Sequence, residues 1–213
     1  MSECLPISLQ IAGVQWQYFS RRRADKRFVP FAEKVWARDN HQCRYCGFSS
    51  RKHMEVVNLN GNYRQNTLSN MATSCSFCTP CFFLDGIGQG LPGAGVFIYM
   101  PDMTQGELNA LCHVLMHGLV VGGGEQLSQL RSHYRSLRLR SQLVEKHIGE
   151  GFSDVAQYVR VLADAKSEQL ADFQEAFQEN IRFLPDLAAF SPIIQDCAVS
   201  ALSSELNIQG GSL

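Results

Sequence analysis

Eight cysteines stand in this chain of 213 residues, at positions 4, 43, 46, 75, 78, 81, 112 and 197. Most fall in two short phrases, CRYCGF and CSFCTPC. A C-x-x-C turn presents two thiolates along one edge of a tetrahedron, and a second such turn supplies the opposite edge. Cys43, Cys46, Cys75 and Cys78 are therefore the candidate ligands of one Zn2+ ion. Four thiolates leave no open coordination position for water or substrate, so the metal would be structural. Gly47, directly after the first pair, permits the tight knuckle conformation. Cys78-x-x-Cys81 is also a legal pair, although Pro80 restricts its turn, and Cys81 is held as a reserve ligand or a buried bystander. His41 and His53 lie near enough in sequence to compete, but four cysteines suffice. Cys112 and Cys197 stand alone in helical patterns and read as small core residues, while Cys4 near the terminus says little.

The stretch from Cys43 to Cys81 resembles the zinc-stapled core of HNH nucleases. CRYCGF matches their first knuckle, Asn70-Met71 their Asn-Leu pair, and CSFC their second knuckle. The resemblance stops at the chemistry. Val57-Asn58 stands where that family has Asp-His, and Thr79 follows the second knuckle in place of Asn or His. The missing histidine is the general base, and an amide cannot accept a proton from water at neutral pH. His53 lies five residues upstream and would point elsewhere. The expectation is an HNH-like scaffold with no catalytic residues. An HNH-type zinc nuclease or nucleic-acid-binding protein is the alternative.

Other combinations offer less. His113 and His117 are one helical turn apart, but Val114 replaces the glutamate of H-E-x-x-H, so a core or interface pair is the better reading. Gly86-Ile-Gly88-Gln-Gly90 lacks both the G-K-[ST] ending and a following helix, and reads as a hairpin loop. Tyr45, Phe48, Phe77, Phe82 and Phe83 crowd the knuckles, as core around the metal or as anchors for a partner.

The elements that must position these residues are α+β in pattern. Leu5, Ile7, Leu9 and Ile11, then Val14, Trp16 and Tyr18, alternate about Ala12-Gly13 and suggest a hairpin. Phe31 to Arg38 suits a short helix, His53 to Leu59 a strand, and Asn66 to Ala72 a short helix before the second knuckle. After a glycine-rich loop over 85–95 comes an apolar strand, 96–100. The rest reads as helix. Thr104-x-x-Glu107 is a capping box opening a helix to about Val120, and GGG at 122–124 ends it. One helix is expected over Glu125 to His147, another from Ser153-Asp154 to Ala165. A further one begins at Ser167, carries Leu170, Phe173, Phe177 and Ile181, and stops at Pro185. Ser191-Pro192 suits the N-terminus of a last helix. The chain reads as a single domain, with a β-rich, zinc-binding, HNH-like part (1–101) followed by a helical part (102–213).

Composition argues against a nucleic-acid partner. The formal net charge is −1, with no excess of Lys and Arg to meet a phosphate backbone. Two basic clusters, Arg21-Arg22-Arg23 with Lys26-Arg27 and Arg131, Arg135, Arg138, Arg140, read as solvated faces. No run approaches the ~18 apolar residues of a membrane span. The first ten residues, MSECLPISLQ, lack the basic and apolar regions of a signal peptide, so a cytoplasmic location is expected.

Several phrases together resemble one family: RRRADKRF, FAEKVWARDNHQCRYCGF, VVNLNGNYRQNTLSN, CSFCTPCFF, GELNALCHVL, RSLRLRSQLVEKHIGEGFSD and NIRFLP. These are similar to the DotN (IcmJ) family of the Dot/Icm type IVB secretion system, from about Arg22 to Pro185. The resemblance implies a non-enzymatic subunit of the type IV coupling complex. Such a subunit binds the C-terminal segment of the DotL-like coupling ATPase, beside DotM-like and IcmS/IcmW-like subunits. It would recruit effectors at the cytoplasmic face of the bacterial inner membrane, held there by partners.

Overall fold

In a computed structural model of the chain, residues 4–91, 94–164, 170–186 and 188–197 are described. The class is α+β, with two short antiparallel strand pairs set among helices. The N-terminal half carries α1 (Val14–Ala24), α2 (Val29–Arg38), β1 (Met54–Asn58), β2 (Met71–Cys75) and β3 (Gly95–Tyr99). The C-terminal half is mainly helical: α3 (Gln105–Val121), α4 (Gly124–Leu139), α5 (Ser141–His147), α6 (Val155–Asp164) and α7 (Leu170–Asn180), with β4 (Ile181–Pro185) after them.

The expected N-terminal hairpin is not formed. Residues 5–12 form no regular element and join neither strand pair, and Val14–Ala24 is helical. The buried residues of α1 are Trp16, Phe19 and Arg22, at i, i+3 and i+6, while Val14 is exposed. An arginine completing the stripe hides the helical period from a reading of apolar residues alone. A second correction concerns Asn66 to Ala72. Only Leu68–Asn70 turns helically, as one 3-10 turn, and Met71 already begins β2. Pairing with β1, from Met54↔Cys75 to Asn58↔Met71, buries all five β2 residues and overrides the local preference.

The helical half is less continuous than its pattern. Arg140 interrupts the expected helix over 125–147, separating α4 from α5. Ile181 is not the last position of a helical stripe; it opens β4, which pairs antiparallel with β3 from Gly95↔Pro185 to Tyr99↔Ile181. All five β4 residues are buried, so period-2 alternation is absent and the short run could not be told from helix. Ser191 and Pro192 lie inside a helical stretch, 188–197. Its start is held instead by Asp186, whose Oδ1 accepts from the Ala188 N–H at 2.8 Å. The expected start at Ser167 and end at Ala165 fall outside the described residues.

The capping box at α3 is formed as expected: Thr104 Oγ1 accepts from the Glu107 N–H, and Glu107 Oε2 accepts from the Thr104 N–H. Two hydrophobic clusters cross from one half to the other. The first joins Phe19, Val57, Phe77 and Phe83 to Leu108, Met116, Leu184 and Phe190. The second joins Leu9, Cys81 and Leu84 to Phe97, Tyr158, Phe177 and Phe183.

Candidate metal centre

The first knuckle is closed by backbone bonds, from Cys43 N–H to Phe48 O at 2.8 Å and from Gly47 N–H to Cys43 O at 3.0 Å. Gly47 has φ +79°, a left-handed value that favours glycine. The Arg44 N–H donates to Thr73 O at 2.9 Å, joining this knuckle to β2, which delivers Cys75 at its end. The sulfurs of Cys43, Cys46, Cys75 and Cys78 all lie within 4.8 Å of one another, and Cys46 and Cys75 are 3.5 Å apart. A tetrahedron with metal–sulfur bonds of about 2.3 Å has edges of about 3.8 Å. The cluster therefore has the dimensions to hold a metal ion.

The groups around the sulfurs are N–H donors. The Cys75 N–H reaches Cys43 Sγ at 3.3 Å, and Asn109 Nδ2 reaches Cys78 Sγ at 3.2 Å. His113 Nε2 lies 3.2 Å from Cys75 Sγ. The His113 ring is stacked between Phe48 at 3.7 Å and Phe77 at 4.1 Å. Burial pushes its pKa down to about 3 against the attraction of Cys43, so the ring is neutral at pH 7 and its one N–H can face a thiolate. If a metal ionised all four sulfurs, such donors would offset the negative charge that they concentrate. α3 brings Asn109 and His113 in because Gly106 lets its first turn approach; a Cβ there would lie 2.5 Å from Tyr45 O. The i, i+4 relation of Asn109 and His113 was legible in the sequence, but nothing in it marked the sulfurs as their partners. His117, one turn further on, is exposed.

Cys81 lies outside the cluster. Burial pushes its pKa up to about 12, keeping it a thiol, and its S–H donates to Phe77 O at 3.7 Å. His53 is turned to Asp196, 2.7 Å away. Cys112 is fully buried, as expected of a core residue, whereas Cys197 is half-buried with its Sγ 3.7 Å from Ser50 Oγ. Of the crowding aromatics, Tyr45, Phe77 and Phe83 are buried, and Phe48 and Phe82 pack partly exposed against the same cluster.

Where an HNH nuclease has its general base, the structure places a fully engaged amide. Asn58, at the end of β1, is buried. Its Oδ1 accepts from Arg22 Nη1 at 2.5 Å, and its Nδ2 donates to Asn62 O at 2.8 Å and Gln65 O at 2.9 Å. Val57 is sealed in the core. Thr79 Oγ1 is used on Cys75 O and Ser74 Oγ, and Asn70 holds Asn60 and Gln65 O.

Arg22 is the exception to the solvated-face reading of its cluster, whose other members, Arg21, Arg23, Lys26 and Arg27, are exposed. Arg22 is buried, also donates to Asn66 Oδ1 and Val56 O, and lies over the rings of Phe28 and Tyr63. Burial lowers its pKa to about 10, which leaves it charged at neutral pH. Its neighbours Arg23 and Arg27 pair with Glu55 and Asp25. Sequence reasoning also passed over Asp39. Its side chain is buried, takes two bonds from Arg38 and accepts from the Thr73 N–H at 2.8 Å. Burial alone would raise its pKa, but those bonds outweigh it and hold the carboxyl below its ordinary value.

No protein-family profile matches the chain. The type 4 apparatus protein DotN of Legionella pneumophila subsp. pneumophila (strain Philadelphia 1) is 42% identical to it over 189 residues, which cover 88% of this chain and 86% of that protein. The match spans the region that carries both knuckles and most of the helical half, and the chain belongs to the DotN family.

Proposed function

We propose that this chain is a non-enzymatic adaptor subunit of a Dot/Icm-type secretion apparatus, stapled by one structural Zn2+ on Cys43, Cys46, Cys75 and Cys78. The partner is the C-terminal segment of a DotL-like coupling ATPase, with DotM-like and IcmS/IcmW-like subunits beside it. The observation that carries the non-enzymatic reading is Asn58. Every polar atom of its side chain is committed to Arg22 and the 62–65 turn, at the position where hydrolysis would need a base. Membership of the DotN family supports the place in a type IV secretion apparatus. No helix among the described residues is long and apolar enough to cross a membrane, in keeping with attachment to the inner membrane through partners.

The four-sulfur donor set favours zinc over harder cations, which prefer oxygen. Zinc would bind the two knuckles to each other and, through Asn109 and His113, to α3. That arrangement gives a preformed surface on which a long ATPase tail can become ordered. The test is size exclusion with light scattering of the purified chain and the tail of its cognate ATPase, with metal content read by mass spectrometry. A stable complex holding one zinc per chain is expected. Separate elution at low and moderate salt would refute the adaptor reading and make nucleic acid the next ligand to try.

A further inference from the structure

Among the described residues, the N-terminal segment leaves backbone groups unused beside a large cleft. It is tied at both ends: Leu5 N–H donates to Arg44 O, Gln10 N–H to Cys81 O, and Gln10 O accepts from Leu84 N–H. Between these ties, the N–H groups of Ile7, Ser8 and Leu9 meet no acceptor among the described residues. Leu9 O receives one long bond, 3.4 Å, from Gln178 Nε2. The segment nonetheless has a strand's period, with Leu5, Ile7, Leu9 and Ile11 more buried than Pro6, Ser8 and Gln10. Period two puts the amides of Ile7 and Leu9 on one edge.

A cleft of about 660 Å³ lies beside them, walled by Ile7, Leu9, Gly106, Ala110 and Ile181. Its charged residues are already occupied. The Arg182 guanidinium donates to the carbonyls of Met103, Gln178, Glu179 and Ile181, and Glu107 closes the capping box of α3. An anionic ligand would find no free cation there. A small apolar molecule would fill the floor and leave the amides unpaired, which is costly once water is excluded. An extended polypeptide meets both demands, pairing its backbone with the free edge and setting alternate side chains into the cleft.

We propose that this cleft receives an extended, weakly charged polypeptide segment with apolar residues at alternate positions, added as a strand along Ile7–Leu9. Assigning that segment to the ATPase tail rests on the adaptor reading above. The experiment uses the full chain and the recombinant tail, with hydrogen exchange followed on the peptide covering 5–12 and affinity measured for wild type and Ala110→Trp. Tail binding should slow exchange at Ile7 and Leu9 at least about tenfold, and Ala110→Trp should weaken binding at least about tenfold with metal content unchanged. Should the tryptophan disturb folding, exchange on the wild type decides alone. Equal binding by both proteins with unchanged exchange over 5–12 would overturn the strand proposal and leave the adaptor reading standing. No binding by wild type would overturn both.

Discussion

Asn58 is structural: every polar atom of its side chain is used in holding neighbouring segments together. Its amide joins β1 to the 62–65 turn and to a buried guanidinium. An imidazole cannot reproduce one acceptor and two donors in those directions. Asn58→His is therefore expected to give no magnesium-dependent plasmid cleavage and to lose about 1–3 kcal/mol of stability, the usual cost of stranding buried partners. Cleavage above a mock purification would refute this. Asp39 is the other buried polar anchor. Asp39→Asn should lose about 2 kcal/mol at pH 7, read from denaturant midpoints, because charge-assisted bonds to Arg38 are removed. The sign with pH follows from its lowered pKa. The carboxylate's contribution is complete above the unfolded value of about 3.9 and fades as pH falls through the folded value. The gap between wild type and variant should therefore be constant near neutrality and shrink below about pH 4.

At the scale of elements, the proposed metal centre depends on how closely α3 approaches the first knuckle. A Cβ at Gly106 would lie 2.5 Å from a backbone oxygen, which cannot rotate aside. Gly106→Ala should displace α3, draw Asn109 and His113 from the sulfurs, and weaken metal binding about 10–100-fold in a chelator competition. Unchanged affinity would mean that the donors on α3 do not tune the site. The same elements show where the sequence was readable. C-x-x-C turns and a capping box are local chemistry, so both knuckle pairs and the start of α3 could be located from residue types. α1 was hidden because Arg22 completes its buried stripe, and β4 because its partner β3 is distant and its five residues are all buried. Asn109 and His113 form a legible i, i+4 pair, but their sulfur partners are more than 30 residues away in the chain. The proximity of helix and knuckle exists only in three dimensions.

For the whole molecule, the proposed zinc and the shared clusters predict one cooperative unit. Cys43, Cys75 and Cys78 belong to the same cluster as Leu184, Phe190 and Ile194. Structural zinc contributes about 10–16 kcal/mol in small modules, comparable to the 5–15 kcal/mol stability of a typical domain. Stripping the metal should abolish the unfolding transition followed by near-ultraviolet dichroism, and helical signal should fall with it. A surviving transition from the helical half would instead show two independent units. The pairing of β3 with β4 also bears on synthesis. The knuckle cysteines are complete at Cys78, yet Gly95–Tyr99 has no strand partner until Ile181–Pro185 leaves the ribosome. At about 5–20 residues per second, that wait is on the order of 5–15 s. Throughout it the apolar GVFIY strand has an open edge, which makes the nascent chain a natural client for a chaperone that shields strand edges.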